Sequence, residues 1–182
     1  MLTSARVGSS NIFRGLVTIF TMSDRALDDV VEIKVLVVGS TAAGKTSAIR
    51  AFGGHPFLQE QEYEETVDVA PSYIQLKGND PIVHATFWDC PPQKFLNSPH
   101  EMLLDATCVV IVYDVCNYDS YLEATKSWMD LVKPNMKPET GLFVMLLGCK
   151  TDMATRRAVS IKEAEIFASR SGVFFMEISA KS

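Results

Sequence analysis

The chain has 182 residues, 47% of them hydrophobic, and a formal net charge of −5. That length and apolar share suit one domain with a full core and leave too little for two. The acidic balance excludes a broad electrostatic grip on nucleic acid, leaving room only for small basic patches, and no apolar stretch approaches a membrane-spanning length.

Met1 to Ser23 contains no acidic residue but carries Arg6, Arg14 and several Ser and Thr. Three readings stay open: an organelle transit peptide, a disordered tail, or an upstream extension with Met22 as the true start. Residues 1–30 are expected to be a disordered N-terminal extension, and residues 31–182 one domain.

From Glu32 onward strand-like and helix-like segments alternate. I-K-V-L-V-V-G at 33–39 is a buried-strand run ending at glycine. Residues 45–52 read as a helix start and polar 53–66 as a loop. Residues 67–76 and 82–88 are strand candidates joined by the turn signal K-G-N-D-P. T-C-V-V-I-V-Y-D-V at 107–115 has the continuous apolar character of a central strand. Residues 120–133 follow, with Leu122, Met129 and Val132 at helical spacing. G-L-F-V-M-L-L-G at 141–148 is a second buried strand. Ser160 and Glu163 form a capping box that opens a helix to about Ser171. V-F-F-M-E-I at 173–178 closes the pattern. The alternation predicts a three-layer α/β fold with a mostly parallel sheet and one antiparallel hairpin near residues 77–81. The four cysteines, Cys90, Cys108, Cys116 and Cys149, are scattered without a C-x-x-C pair, which reads as reduced thiols without zinc.

Between the first strand and the first helix lies G-S-T-A-A-G-K-T: Gly39, Ser40, Thr41, Ala42, Ala43, Gly44, Lys45 and Thr46, with Ser47 next. This fits G-x-x-x-x-G-K-[ST] in its required strand–loop–helix context. The two glycines let backbone N–H groups turn toward phosphate oxygens, and the helix N-terminus adds favourable partial charge. Lys45 would reach the β- and γ-phosphates, and the Thr46 hydroxyl would meet Mg²⁺. The loop by itself does not distinguish ATP from GTP.

Further along stand W-D-x-x-x-Q at 88–93, C-K-T-D at 149–152 and I-S-A-K at 178–181, each at a strand end. With these motifs in order, residues 32–182 resemble a Ras-superfamily small GTPase, most closely the Rab branch through W-D, V-Y-D-V at 112–115 and S-A-K. The resemblance implies a P-loop fold with a six-stranded mostly parallel sheet and helices on both faces. It also implies GTP or GDP with Mg²⁺ as ligands. Asp152 would select guanine, Lys150 would cover the base, and Ser179, Ala180 and Lys181 would close around it. Thr66, 23 residues before Asp89, would be the switch I threonine at Mg²⁺ and the γ-phosphate. Asp89 would stand behind the metal, and Gln93 would orient the attacking water. Phe57 or Tyr63 would cover the base or ribose edge, though packing explains either equally well. Effectors and exchange factors would bind through switches I and II. The acidic run at 60–65 is a solvated loop or a determinant of partner choice.

Two departures from the family pattern stand out. Pro92 replaces a glycine whose N–H binds the γ-phosphate, and proline has no N–H and a fixed φ. Cys149 replaces an asparagine, and a thiol is a weak hydrogen-bonding group, so guanine affinity should fall by about 1 to 3 kcal/mol. Thr41, at a loop position where many relatives have glycine, is a softer departure. These features predict a monomeric Rab-like protein of vesicle or ciliary traffic with weak hydrolysis. The alternative is a pseudo-GTPase interaction module that does not switch. The family's C-terminal helix and prenylated tail are expected to be missing after Ser182. The resemblance places the protein in the cytoplasm, peripheral on endomembranes where a lipidated tail is present.

Overall fold

A computed structural model describes residues 30–58, 70–76, 82–137 and 139–181. Six strands form one sheet in the order β2-β3-β1-β4-β5-β6. They are β1 (Val30–Gly39), β2 (Ala70–Leu76), β3 (Ile82–Asp89), β4 (Cys108–Asp114), β5 (Phe143–Cys149) and β6 (Phe174–Glu177). The β2–β3 pair is antiparallel and every other pair is parallel. The mostly parallel sheet and its one hairpin match the sequence reading; the hairpin turn at 77–81 lies outside the described residues.

The first strand starts at Val30, inside the stretch assigned above to the extension. The cause is pairing: Val30, Val31 and Glu32 lie in register with Ile82, Val83 and His84. The central run of β4 is buried along almost its whole length, as a strand covered on both faces must be.

Two apolar clusters flank the sheet. One gathers Val35 and Val37 of β1, Phe87 of β3, Val110 of β4 and Met145 of β5 with Ile49 and Phe52 of α1 (Lys45–Phe52). The other gathers Leu36, Val38, Ile111 and Leu146 with the remaining helices. Those are α2 (Pro92–Asn97), α3 (Pro99–Leu103), α4 (Tyr118–Glu123), α5 (Met129–Val132) and α6 (Ile161–Ser171). A π-helical turn, Ala124–Trp128, joins α4 to α5. Asn117 caps α4 by accepting from the N–H groups of Asp119 and Ser120, so the helical stretch starts before residue 120.

The capping box of α6 is half formed. Ser160 Oγ accepts from the Glu163 N–H at 3.2 Å. The Glu163 carboxylate instead accepts from the Tyr118 hydroxyl at 2.7 Å, linking α6 to α4.

Parallel pairing points the carboxyl ends of β1, β4, β5 and β6 the same way, and β3, parallel to β1, joins them. The described motif residues singled out above lie at these ends or just after them. That is where an open α/β sheet presents its ligand crevice.

Candidate functional site

The loop after β1 is built by close approach. Gly39 has φ +137°, and a Cβ there would lie 2.2 Å from the Val112 carbonyl oxygen. Only glycine lets β1 end this close to β4. Gly44 has φ +107°, and its missing Cβ leaves the space that Cys149 fills, with the cysteine Cβ at 3.0 Å from that position. Ala42 also takes the left-handed region, at φ 59°. The chain then enters α1 at Lys45, and the helix N-terminus, with its gathered N–H groups and positive partial charge, opens onto the loop.

Lys45 is buried, and its Nζ donates to the Gly39 and Ser40 carbonyls at 3.2 and 2.9 Å. The ammonium is thus folded over the loop it would share with a phosphate. Thr46 Oγ1 donates to Asp89 Oδ2 at 2.5 Å. This joins the helix start to the tip of β3, where Asp89 is 4% exposed. Two oxygen donors from two elements therefore share one point. A hydroxyl beside a carboxylate is a hard donor set of the kind Mg²⁺ takes, so these residues fit that ion. Thr41 is exposed, Ala43 buried and Ser47 half-buried.

Ser40 brings a contact that sequence reasoning missed. Its Oγ donates to the Glu123 carboxylate of α4 at 2.5 Å. An acid held beside an anion-binding loop is electrostatically adverse, and no motif signalled it.

The stretch after β3 has an unusual donor inventory. The Cys90 N–H is given to the Val37 carbonyl at 3.1 Å, one more link to β1. Pro91 and Pro92 have no N–H. Pro91 is extended, at φ −58° and ψ 141°, and Pro92 is the first residue of α2, the helical position proline fits best. The Pro91 carbonyl then accepts from the Lys94 and Phe95 N–H groups. From residue 90 to 92 no backbone donor faces the site; Gln93 supplies the next one. The Gln93 side chain is exposed.

At the far end, β5 delivers Cys149, which is 4% exposed. Burial pushes its thiol up to about 12, so it remains neutral. Lys150 takes a left-handed backbone, φ 69°, and its ammonium pairs with Asp114 at the end of β4, 2.7 Å away. Asp114 was visible in V-Y-D-V as part of the pattern but had no role assigned. The Asp152 carboxylate accepts from Ser179 Oγ at 2.8 Å, and the same hydroxyl accepts from the Lys181 N–H at 3.1 Å. Ala180 lies between them, half-buried. The Thr151 N–H donates to the Ile178 carbonyl, and the Ile178 N–H to the Gly148 carbonyl. These bonds hold the two loops together as one rim. Phe57 is 41% exposed, and Lys181 Nζ stands 5.5 Å from its ring centroid. Of the two aromatic candidates, Phe57 stands at this rim. Thr66, Tyr63 and the acidic run at 60–65 lie outside the described residues.

The loop, the Thr46–Asp89 pair and the 149–152/178–181 rim thus line one edge of the sheet. A family model described as "Ras family" matches residues 34–182. The chain is 33% identical over 150 residues to "Ras-related protein RHN1" of Nicotiana plumbaginifolia, covering 82% of this chain and 72% of that protein. It is 33% identical over 153 residues to "Ras-related protein RABF2a" of Arabidopsis thaliana, covering 84% and 74%. With "Ras-related protein Rab5A" of Oryza sativa subsp. japonica it shares 33% identity over 150 residues, covering 82% and 71%.

Proposed function

The chain belongs to the Ras family of small GTPases, and from that premise we propose that it is a Rab-like regulator of intracellular traffic that binds guanine nucleotide and hydrolyses GTP weakly. The observation that supports weak turnover is the run without a donor at 90–92. A GTP-dependent switch needs contacts that differ between its two nucleotide states. With the Cys90 N–H committed to Val37 and two prolines following, the backbone contact to a γ-phosphate at Pro92 is lost. Less free energy then separates the two states.

In this reading the remaining machinery is retained. The Asp152 carboxylate, oriented by Ser179, accepts from the paired N–H donors of guanine, which adenine lacks. Phe57 and the Lys181 stem cover the base edge. Lys45 leaves its loop carbonyls to neutralise charge on the transferred phosphate, and Gln93 orients water for in-line attack. Thr46 and Asp89, with Thr66, would hold Mg²⁺, which supplies charge neutralisation at the phosphates when bound. Effectors and exchange factors engage switches I and II. No helix of the described residues is long and apolar enough to cross a membrane. We place the protein as a monomer in the cytoplasm, peripheral on endomembranes.

A second reading, a pseudo-GTPase that serves as an interaction module, is favoured by Cys149. Its neutral thiol packs on Gly44, at a position where the resemblance expects an amide for the base. Chromatographic analysis of nucleotide co-purifying with the protein, then single-turnover hydrolysis by the protein and Pro92→Gly, separates the two. Bound GDP or GTP with hydrolysis raised by the substitution supports the first reading. No guanine nucleotide on either protein sinks it in favour of the second.

A further inference from the structure

Glu123, the last residue of α4, reaches the phosphate loop from 83 positions away: its carboxylate accepts from Ser40 Oγ at 2.5 Å. The backbone beneath it is held on both sides. One turn earlier, Ser120 is 4% exposed, and its Oγ accepts from the Asp114 N–H at 3.1 Å. Residues three apart share a helix face, so Ser120 meets the end of β4 while Glu123 meets the loop that follows β1, the neighbouring strand. Directly after Glu123 the π-helical turn begins, a feature frequent at functional sites. Thr125 Oγ1 donates to the Tyr121 carbonyl at 2.8 Å, a back-bond that bends helices. Trp128 closes the turn, buried, with its ring centroid 5.6 Å from that of Phe95.

The charge so placed is not offset. Among the described residues no lysine or arginine forms an ion pair with Glu123, whereas nearby Asp114 is paired with Lys150 at 2.7 Å. Ser40 also holds Lys45, whose Nζ donates to the Ser40 carbonyl at 2.9 Å. One residue and two hydrogen bonds thus separate the carboxylate from the ammonium, a path of roughly 10 Å at most. That is about the Debye length at 0.1 M salt. A phosphate drawn to Lys45 therefore lies within reach of the Glu123 charge.

We propose that Glu123 is a specificity-determining residue of the nucleotide site: its carboxylate, tethered by Ser40, repels phosphate charge and so favours guanosine diphosphate over the triphosphate. This rests on the guanine-nucleotide reading above. Coulomb repulsion scales with the charge of the ligand, and the triphosphate carries more than the diphosphate, so its binding is weakened more. Glu123 acts through charge and position and takes no part at the reacting atoms.

Equilibrium titration of the full chain with fluorescent GDP and with a non-hydrolysable GTP analogue, at fixed Mg²⁺, tests this. Glu123 is exposed, so its replacement leaves no buried group unpaired. Glu123→Gln keeps an acceptor for Ser40 and removes the charge. Expected at low salt is tighter binding of both nucleotides, by about two- to tenfold, with the larger factor for the triphosphate analogue. Glu123→Lys should go further in the same direction. Both gains should fall away near 1 M salt, where the Debye length is about 3 Å; a packing effect would not respond in this way. Unchanged affinities, equal factors for the two nucleotides, or gains that persist in high salt overturn the proposal and leave guanine-nucleotide binding standing. No binding of either nucleotide to the wild-type chain or the variants overturns that reading and this proposal together.

Discussion

Thr46 Oγ1 donates to Asp89 Oδ2 across 2.5 Å, closing the gap between the start of α1 and the tip of β3. Removing the hydroxyl isosterically, as Thr46→Val, takes one oxygen from the proposed metal site and leaves a buried carboxylate without that donor. Expected is a roughly 10- to 100-fold faster release of bound nucleotide in Mg²⁺, as when a metal site loses a supporting group. Release in excess chelator should change far less. Fluorescent-nucleotide dissociation with and without chelator reads both.

Pro92 combines two effects, a missing N–H and a fixed φ, and two substitutions separate them. Pro92→Ala restores the donor while keeping an ordinary backbone, and Pro92→Gly adds conformational freedom. If the donor is what matters, both raise single-turnover GTP hydrolysis. If the helix start must also move, only the glycine variant does.

Cys149→Asn should strengthen GDP binding by roughly tenfold, the effect of one hydrogen bond of about 1 to 1.5 kcal/mol to the base. The larger side chain must fit beside Gly44 in the space that Cys149 already fills, so the apo protein should lose some thermal stability. Calorimetric titration and a melting curve measure the two opposing changes.

Arg157 donates to both oxygens of Glu177 at 2.8 Å, and Tyr113 donates to the same carboxylate at 3.3 Å. Arg157→Met leaves a largely buried carboxylate without its counter-ion. A cost of about 3 kcal/mol in urea denaturation is expected, with less than that for Arg157→Met/Glu177→Leu, since breaking one partner costs more than replacing the pair.

Burial pushes the thiols of Cys90, Cys108 and Cys149 up to about 12 from an ordinary 9.0. Folding thus favours the neutral form. That contribution is complete below pH 9, where unfolded thiols are also protonated, and is lost as pH rises from 9 toward 12. The urea midpoint should fall above pH 9, and Cys108→Ala should flatten that fall.

Much of this was legible in sequence because the signals are local. The apolar runs at 33–39, 107–115 and 141–148 fix central strands, since only strands covered on both faces are apolar throughout. The glycine spacing fixes the loop, since Gly39 and Gly44 take backbones that other residues avoid. The short helices α2 and α3 were not foreseen: each is a few residues long and begins at a proline, too short for a periodic pattern. Ser40–Glu123 and Lys150–Asp114 join residues 83 and 36 positions apart, and no local pattern encodes such pairs. The half-formed capping box has the same origin, because Tyr118 competes for Glu163 across the fold.

The donor gap at residues 90–92 has a genetic side as well. The Cys90-to-Val37 link belongs to the sheet and the start of α2 belongs to the helix, so neither yields to a small change. The ring of Pro92 is different, because a single base change converts a proline codon to an alanine codon and returns an N–H. If the missing N–H at Pro92 is what limits hydrolysis, one mutational step restores it within the same architecture.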